Sequence, residues 1–213
     1  MNSMLNNLIA LAIGLNLIAL GTSRIPSLIR AMSVQGVILG IMPVIMDHHL
    51  DWRVIAIAIA TVGVKGVAIP HMLNRAMRSA NIDRDMEPLI GYVPSLLLGA
   101  AGTIAVMVLS RYLPLLPHHS GSLLVPGALA SVLTGFILLI GRTKAISQVC
   151  GYLILENGIY LFGLLLLEST PLMVEAGILL DLTVAVFVIG IIVDRIQREF
   201  DSLDTRKLTA LRE

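Results

Sequence analysis

Cysteine and charged residues are scarce in this sequence, and each scarcity excludes a class of protein. The single cysteine, Cys150, rules out an internal disulfide and any metal or iron–sulfur site built from several cysteines. Charged residues make up 14% of the chain, against about 25% in a typical soluble domain. The net charge of +1 gives no electrostatic reason to expect nucleic acid as a partner.

The motifs that bind nucleotides are also missing. Neither a GxxxxGK[ST] phosphate-binding loop nor a dinucleotide-binding fingerprint occurs. We expect no cleaved signal peptide, because the start of the chain lacks basic residues and Asn16 interrupts the first apolar run. We therefore expect a chain without cofactors of its own, whose energy comes from a partner or an ion gradient.

Long apolar runs are what the sequence does contain. Hydrophobic residues make up 56% of the chain, and the mean hydropathy is +0.89. A spanning helix needs about 20 mainly apolar residues. The sequence therefore predicts an all-α, multi-pass protein of about seven transmembrane helices in a lipid bilayer, at residues 4–22, 28–46, 54–72, 89–109, 123–141, 145–167 and 171–193.

Basic residues predict how these helices are oriented, because cytoplasmic links are enriched in lysine and arginine. Alternate links and the tail hold twelve basic residues, whereas the opposite side has only Arg53 and Arg111. We expect the N-terminus outside and the C-terminus in the cytoplasm. The twelve residues are Arg24, Arg30, Arg75, Arg78, Arg84, Arg142, Lys144, Arg195, Arg198, Arg206, Lys207 and Arg212.

A short pattern in the second apolar segment recurs in the sixth. Ala31, Ser33 and Gly36 are matched by Ala145, Ser147 and Gly151 at nearly constant offset. The pattern favours a parallel 3+1+3 repeat, although chance similarity between apolar helices also explains it. We divide the chain accordingly into a three-helix unit with its cytoplasmic loop (1–87), a spacer helix (88–121) and a second three-helix unit with a tail (122–213).

Three ionisable residues fall at similar depth within these segments, namely Lys65, Glu156 and Asp181. A carboxylate or ammonium at the centre of a bilayer costs about 2.5–3.5 kcal/mol on insertion scales, so such residues usually have a function. We interpret the three as candidates for a proton path. The alternative is structural: a buried acid accepts hydrogen bonds from a neighbouring helix, and Lys65 pairs with an acid of another subunit or extends toward the interface.

Four polar residues are predicted to support this path. Asn157 follows Glu156 directly, and Tyr152 and Tyr160 lie one turn to either side on the same helix face. His71, at the cytoplasmic end of the third segment, is placed to pass protons toward Lys65 or simply to lie at the interface.

The last three segments resemble the K subunit of respiratory complex I. That family has one membrane glutamate on its second helix and another on its third. Glu156, within Leu153-Ile-Leu-Glu-Asn157, stands at the first position, and Asp181, within Gly177-Ile-Leu-Leu-Asp181, lies at or near the second. Aspartate replaces glutamate there and has a shorter reach.

Nearly the whole chain resembles the E component of hydrogenase-4-type complexes, which are relatives of formate hydrogenlyase. The matching residues are Lys65 with Pro70 five positions later, Gly151-Tyr152, Glu156-Asn157-Gly158, Leu203-Asp204 and Leu208-Thr-Ala-Leu211. The resemblance implies a non-catalytic subunit of the inner (cytoplasmic) membrane, in an energy-converting group 4 [NiFe] hydrogenase complex that couples electron transfer to ion translocation.

The same resemblance implies the partners. They are antiporter-like membrane subunits, a membrane subunit like the H subunit of complex I, and a peripheral arm that holds the [NiFe] centre and the iron–sulfur clusters. Two alternatives remain open: a purely structural membrane subunit of such a complex, and a C-type subunit of a multisubunit sodium/proton antiporter. Members of the latter family are usually shorter, with three helices.

Overall fold

Apolar helices account for almost all of the chain that the structure describes. The structure is a computed structural model, and it describes residues 2–46, 52–79, 88–112 and 122–165. The secondary structure in these ranges is helical: α1 (Asn2–Gly21), α2 (Ile25–Met46), α3 (Trp52–Thr61), a π-helical segment (Val62–Ala68), α4 (Ile69–Ser79), α5 (Tyr92–Ser110), α6 (Leu124–Gly141) and α7 (Ala145–Leu165).

Six stretches in the described ranges are long and apolar enough to cross a membrane. They are Ser3–Gly21, Ile25–Met46, Val54–Arg78, Tyr92–Ser110, Leu124–Gly141 and Ala145–Leu165. They coincide with the first six predicted segments, so an all-helical, multi-pass membrane protein is confirmed. The predicted seventh helix at 171–193 lies outside the described residues.

The third spanning helix continues further than the sequence predicted. It was expected to end at residue 72, but α4 runs on to Ser79. Leu73, Ala76 and Met77 recur at helical spacing and are buried, whereas Arg75 and Arg78 are exposed. The extension is therefore amphipathic, and its apolar side packs into the same core as the membrane helices.

The helices pack into one bundle with two apolar clusters. α6 and α7 pack along each other, α1 contacts α2, α5 and α6, and α2 contacts α7 and the rod formed by α3, the π-helical segment and α4. One cluster contains Leu20, Ile29 and Ile154, and the other contains Ile9, Leu39 and Leu161. Along α1, α2, α6 and α7 the two clusters occupy opposite halves of each helix, which leaves a layer between them.

Candidate functional site

Lys65 and Glu156 form an ion pair inside the bundle. Lys65 Nζ lies 3.0 Å from Glu156 Oε1, and the two residues are only 8% and 4% exposed. Both lie near the middle of their spanning helices, Val54–Arg78 and Ala145–Leu165. The pair is internal to the chain, so Lys65 has an acid of the same chain as its partner.

Asn157 and Tyr160 complete the surroundings of the ammonium group. Lys65 Nζ donates a hydrogen bond to Asn157 Oδ1 at 3.2 Å, and it lies 5.3 Å from the centre of the Tyr160 ring. The ring face is electron-rich and attracts a cation at this distance. Two of the supporting residues predicted from the sequence, Asn157 and Tyr160, are therefore in contact with Lys65.

The backbone that holds Lys65 is π-helical. This conformation is rare in proteins as a whole, and where it occurs it is often part of a functional site. The Ile69 N–H bonds to the Val64 carbonyl, five residues earlier. Pro70 has no N–H to donate to the Gly66 carbonyl four residues before it. The Ser33 hydroxyl donates to that carbonyl instead, at 2.9 Å. The spacing of Lys65 and Pro70 thus has a structural reason, because the proline favours the irregular backbone beside the lysine.

A glycine lets α2 approach this segment closely. A Cβ at Gly36 would lie 2.8 Å from the Lys65 Cβ, which is closer than real Cβ atoms come. Any larger residue at position 36 would therefore push Lys65 away from its place. The neighbouring residue in α2, Gln35, lies beside this close contact and within hydrogen-bond distance of Asn157.

Three polar residues extend the site across the bundle, and the sequence interpretation did not select them for it. Asn157 Nδ2 donates to Gln35 Oε1 at 3.2 Å. Gln35 Nε2 donates to Asn16 Oδ1 at 3.0 Å and to Ser131 Oγ at 3.3 Å, and Asn16 Nδ2 donates to Ser131 Oγ at 2.9 Å. Gln35, Asn16 and Ser131 are at most 1% exposed. A polar residue in the inner part of an otherwise apolar spanning segment was the available signal for all three.

These side chains form the layer between the two apolar clusters. In α1, Asn16 lies between Ile13 of one cluster and Ala19 of the other. In α7, Glu156 and Asn157 likewise lie between Ile154 of one cluster and Tyr160 of the other. We call Lys65, Glu156, Asn157, Gln35, Asn16 and Ser131 the polar layer. Its side chains bond to one another across four membrane helices and the π-helical segment, which offsets the cost of burying them in apolar surroundings.

A small pocket adjoins the ion pair. It is lined by Met32, Lys65, Ile69, Leu153 and Asn157, and the space open to the centre of a water molecule is about 10 Å³. That is roughly the room that one water requires. All three apolar residues of the lining lie toward the end of the bundle that contains the α1–α2 and α6–α7 turns.

Two of the remaining predicted site residues have partly or fully exposed side chains. Tyr152 is partly exposed on α7. His71 is exposed on α4, six residues beyond Lys65, or about 9 Å along the axis of a helix. Asp181 lies outside the described residues.

Arg142 is a buried residue whose structural role was missed. It was counted only as a basic residue in a link, but it is 2% exposed. Its Nη2 donates to the Leu20 carbonyl at 2.7 Å, and its guanidinium lies 4.3 Å from the centre of the Tyr92 ring. The positive charge therefore lies at the C-terminal end of α1, where the helix dipole and the last carbonyls attract it.

Comparisons with known proteins give two groups of relatives. The chain is 33% identical over 191 residues to an uncharacterised protein of Mycobacterium tuberculosis, covering 88% of this chain and 86% of the relative. It is 30% identical over 152 residues to hydrogenase-4 component E of Escherichia coli K12, covering 70% of this chain and 68% of the relative. The same identity and coverage are found for hydrogenase-4 component E of Shigella flexneri.

Two further comparisons were negative. No family model matches the chain, and no solved structure matches it significantly.

Proposed function

The chain belongs to the hydrogenase-4 component E family, and from this membership together with the buried ion pair we propose that it is a non-catalytic membrane subunit of an energy-converting [NiFe] hydrogenase complex. In this proposal Lys65 and Glu156 form part of a central polar path that couples electron transfer to ion translocation. The observation that carries it is the 3.0 Å contact of two opposite charges in the middle of two spanning helices.

The chemistry of the pair suits proton exchange. An ammonium and a carboxylate at hydrogen-bond distance can exchange a proton directly. Each charge is costly in a membrane without the other, so a change in the charge of a neighbouring subunit is expected to move the proton or to separate the pair. Asp181 would continue this path in the seventh helix, and His71 and Tyr152 would connect it to the cytoplasmic side.

The proposal includes the setting of the subunit. The N-terminus would lie outside the cytoplasmic membrane and the C-terminus inside it. The partners would be antiporter-like membrane subunits, a subunit like the H subunit of complex I, and a peripheral arm with the [NiFe] centre and the iron–sulfur clusters. Co-purification of the chain from native membranes, followed by measurement of nickel, tests this assembly directly.

Glu156→Gln tests the role of the ion pair. In inverted membrane vesicles that contain the whole complex, hydrogen is measured by gas chromatography and ion uptake by a pH-sensitive dye or by radioactive sodium. We expect the number of ions moved per hydrogen formed to fall about tenfold or more, because the amide cannot take up and release a proton as the carboxylate does. An unchanged ratio in a fully assembled complex would contradict the proposal.

The alternative is a purely structural subunit. The observation in its favour is that the polar layer joins α1, α2, α6, α7 and the π-helical segment, as a structural network would. In that case Glu156→Gln should still give the normal number of ions moved per hydrogen formed in whatever complex assembles, and its effect should be confined to the amount of complex seen on native gels.

A further inference from the structure

Lysine is the only member of the polar layer that cannot accept a hydrogen bond, and this determines the direction of every bond beyond it. Because the Lys65 ammonium only donates, Asn157 must turn its carbonyl oxygen to Lys65 and its NH₂ group to Gln35. Gln35 must then turn its own oxygen to Asn157 and its NH₂ group to Asn16 and Ser131.

The partners on the far side are suited to this direction. Asn16 accepts from Gln35 through its oxygen and uses its NH₂ group on Ser131. The Ser131 hydroxyl accepts from both amides. A Gln35 side chain turned the other way would place its NH₂ group against the NH₂ group of Asn157 and its oxygen against the oxygen of Asn16. One orientation therefore satisfies all the amides, whereas the reverse leaves the contacts with Asn157 and Asn16 unsatisfied, because of the three partners only the Ser131 hydroxyl could donate to the reversed oxygen.

We propose that Gln35 is a positioning residue that locks the Asn157 carbonyl toward Lys65, so that the ammonium keeps this hydrogen bond while Glu156 is protonated. This inference rests on the proposed function of the ion pair. When Glu156 takes up a proton, the charge attraction at 3.0 Å is lost, and the bond to Asn157 Oδ1 at 3.2 Å remains. The titratable side chains that the described contacts place at this point are Lys65, Glu156 and Tyr160.

The consequence for the mechanism is that Lys65 stays in place during the protonated half of a cycle. Without a fixed carbonyl, the Lys65 side chain is held less firmly beside Glu156 once that residue is neutral, although the Tyr160 ring 5.3 Å away still attracts it. Protons would then be lost from the coupled path, and hydrogen formation would continue with less ion movement. Gln35 acts through Asn157 and touches neither proton carrier in this scheme.

The experiment compares Gln35→Met, Asn157→Leu and the double variant in vesicles that contain the complete complex. Methionine has nearly the shape of glutamine and makes no comparable hydrogen bonds. We expect Gln35→Met to lower the ions moved per hydrogen formed about three- to tenfold, the range for the loss of the one hydrogen bond, to Asn157, through which Gln35 acts. The double variant should match Asn157→Leu alone, because Gln35 has no effect once its target is gone.

Gln148→Met is the matched control. This glutamine also donates hydrogen bonds, to the carbonyls of Leu139 and Arg142. Because it lies outside the polar layer, the number of ions moved per hydrogen formed should stay normal in this variant. The ratio does not depend on how much complex assembles. If Gln35→Met gives no complex, Gln35→Asn replaces it, because the shorter amide cannot span from Asn157 to Asn16, and the same loss is expected.

Each of the following results is decisive. A normal ratio for Gln35→Met, or effects of the two single variants that multiply in the double variant, would overturn the inference. A normal ratio for Glu156→Gln as well would overturn the proposed function with it. If Glu156→Gln abolishes translocation while Gln35→Met has no effect, only the positioning role fails.

Discussion

An ammonium and a carboxylate in the middle of a membrane bundle stabilise each other only while both are present. Lys65 and Glu156 lie in different spanning helices and come from distant parts of the chain. Removing one partner of such a pair leaves an isolated charge, which costs about 3–5 kcal/mol, whereas replacing both with apolar residues is often neutral. At the scale of single residues, replacing both partners should therefore remove the function of the pair while leaving the stability of the protein nearly unchanged.

Lys65→Met is expected to destabilise the complex, because Glu156 then loses its counter-charge in an apolar layer. We expect a lower melting temperature in detergent, equivalent to about 3–5 kcal/mol. Lys65→Met combined with Glu156→Leu should recover most of the melting temperature and still move no ions. Lys144→Met, in the α6–α7 turn, is the control. A double variant that translocates ions normally would show that the pair is structural.

At the scale of elements, close contacts between helix backbones position the site. α6 and α7 approach so closely that a Cβ at Gly158 would lie 2.7 Å from the Ala128 carbonyl oxygen and 2.7 Å from the Val132 nitrogen. Backbone atoms cannot move aside as a flexible side chain can. Small residues at such crossings are the common device by which membrane helices approach each other. Here they hold Asn157 and Glu156 against the neighbouring helices.

Gly158→Ala is expected to separate α6 from α7 and to lower stability by about 1–3 kcal/mol, the usual cost of overpacking. Gly163→Ala, five residues further along the same helix, is the control, because none of the residues that the structure describes lies within 4 Å of a Cβ there. Melting temperatures of the two purified variants give the comparison. Equal melting temperatures would mean that α6 and α7 are further apart than described.

At the scale of the whole molecule, a single arginine contacts several helices at one end of the bundle. Arg142 reaches the Leu20 carbonyl of α1 and the Tyr92 ring of α5. Gln148 of α7 donates to the Arg142 carbonyl at 2.9 Å. Four helices thus meet at this residue, at the end where the α1–α2 and α6–α7 turns lie. At the opposite end, a hydrogen bond connects the start of α6 to α1: the Leu123 N–H donates to Asn6 Oδ1 at 3.0 Å.

Arg142→Met should loosen the bundle as a whole, at a cost of about 1.5–3 kcal/mol for the lost charged hydrogen bond. The melting temperature and the yield of assembled complex should both fall. Arg142→Lys should recover only part of the loss, since an ammonium cannot reproduce the planar stacking on Tyr92. Arg111→Met, at an exposed position, is the control, and equal effects at positions 111 and 142 would contradict this role.

The positions of the spanning helices followed from the sequence, and the depth of the ion pair followed with them. Hydropathy over about 20 residues is a local property, and a rise of about 1.5 Å per residue converts a position into a depth. This explains why the first six segments, and Lys65 and Glu156 near the middle of two of them, could be predicted. The amphipathic extension to Ser79 was missed because its charged residues lower the average hydropathy of the window.

The sequence by itself therefore determined a helical membrane protein with rare charges at mid-depth and relatives among hydrogenase-4 components. Only the tertiary structure decided which side chains meet. Lys65 and Asn157 are 92 positions apart, and Asn16 and Ser131 are 115 apart. Such pairings depend on helix rotation and on which backbones can approach closely, and no local average of hydropathy contains that information. The orientation of Gln35 and the place of Arg142 follow from those same contacts.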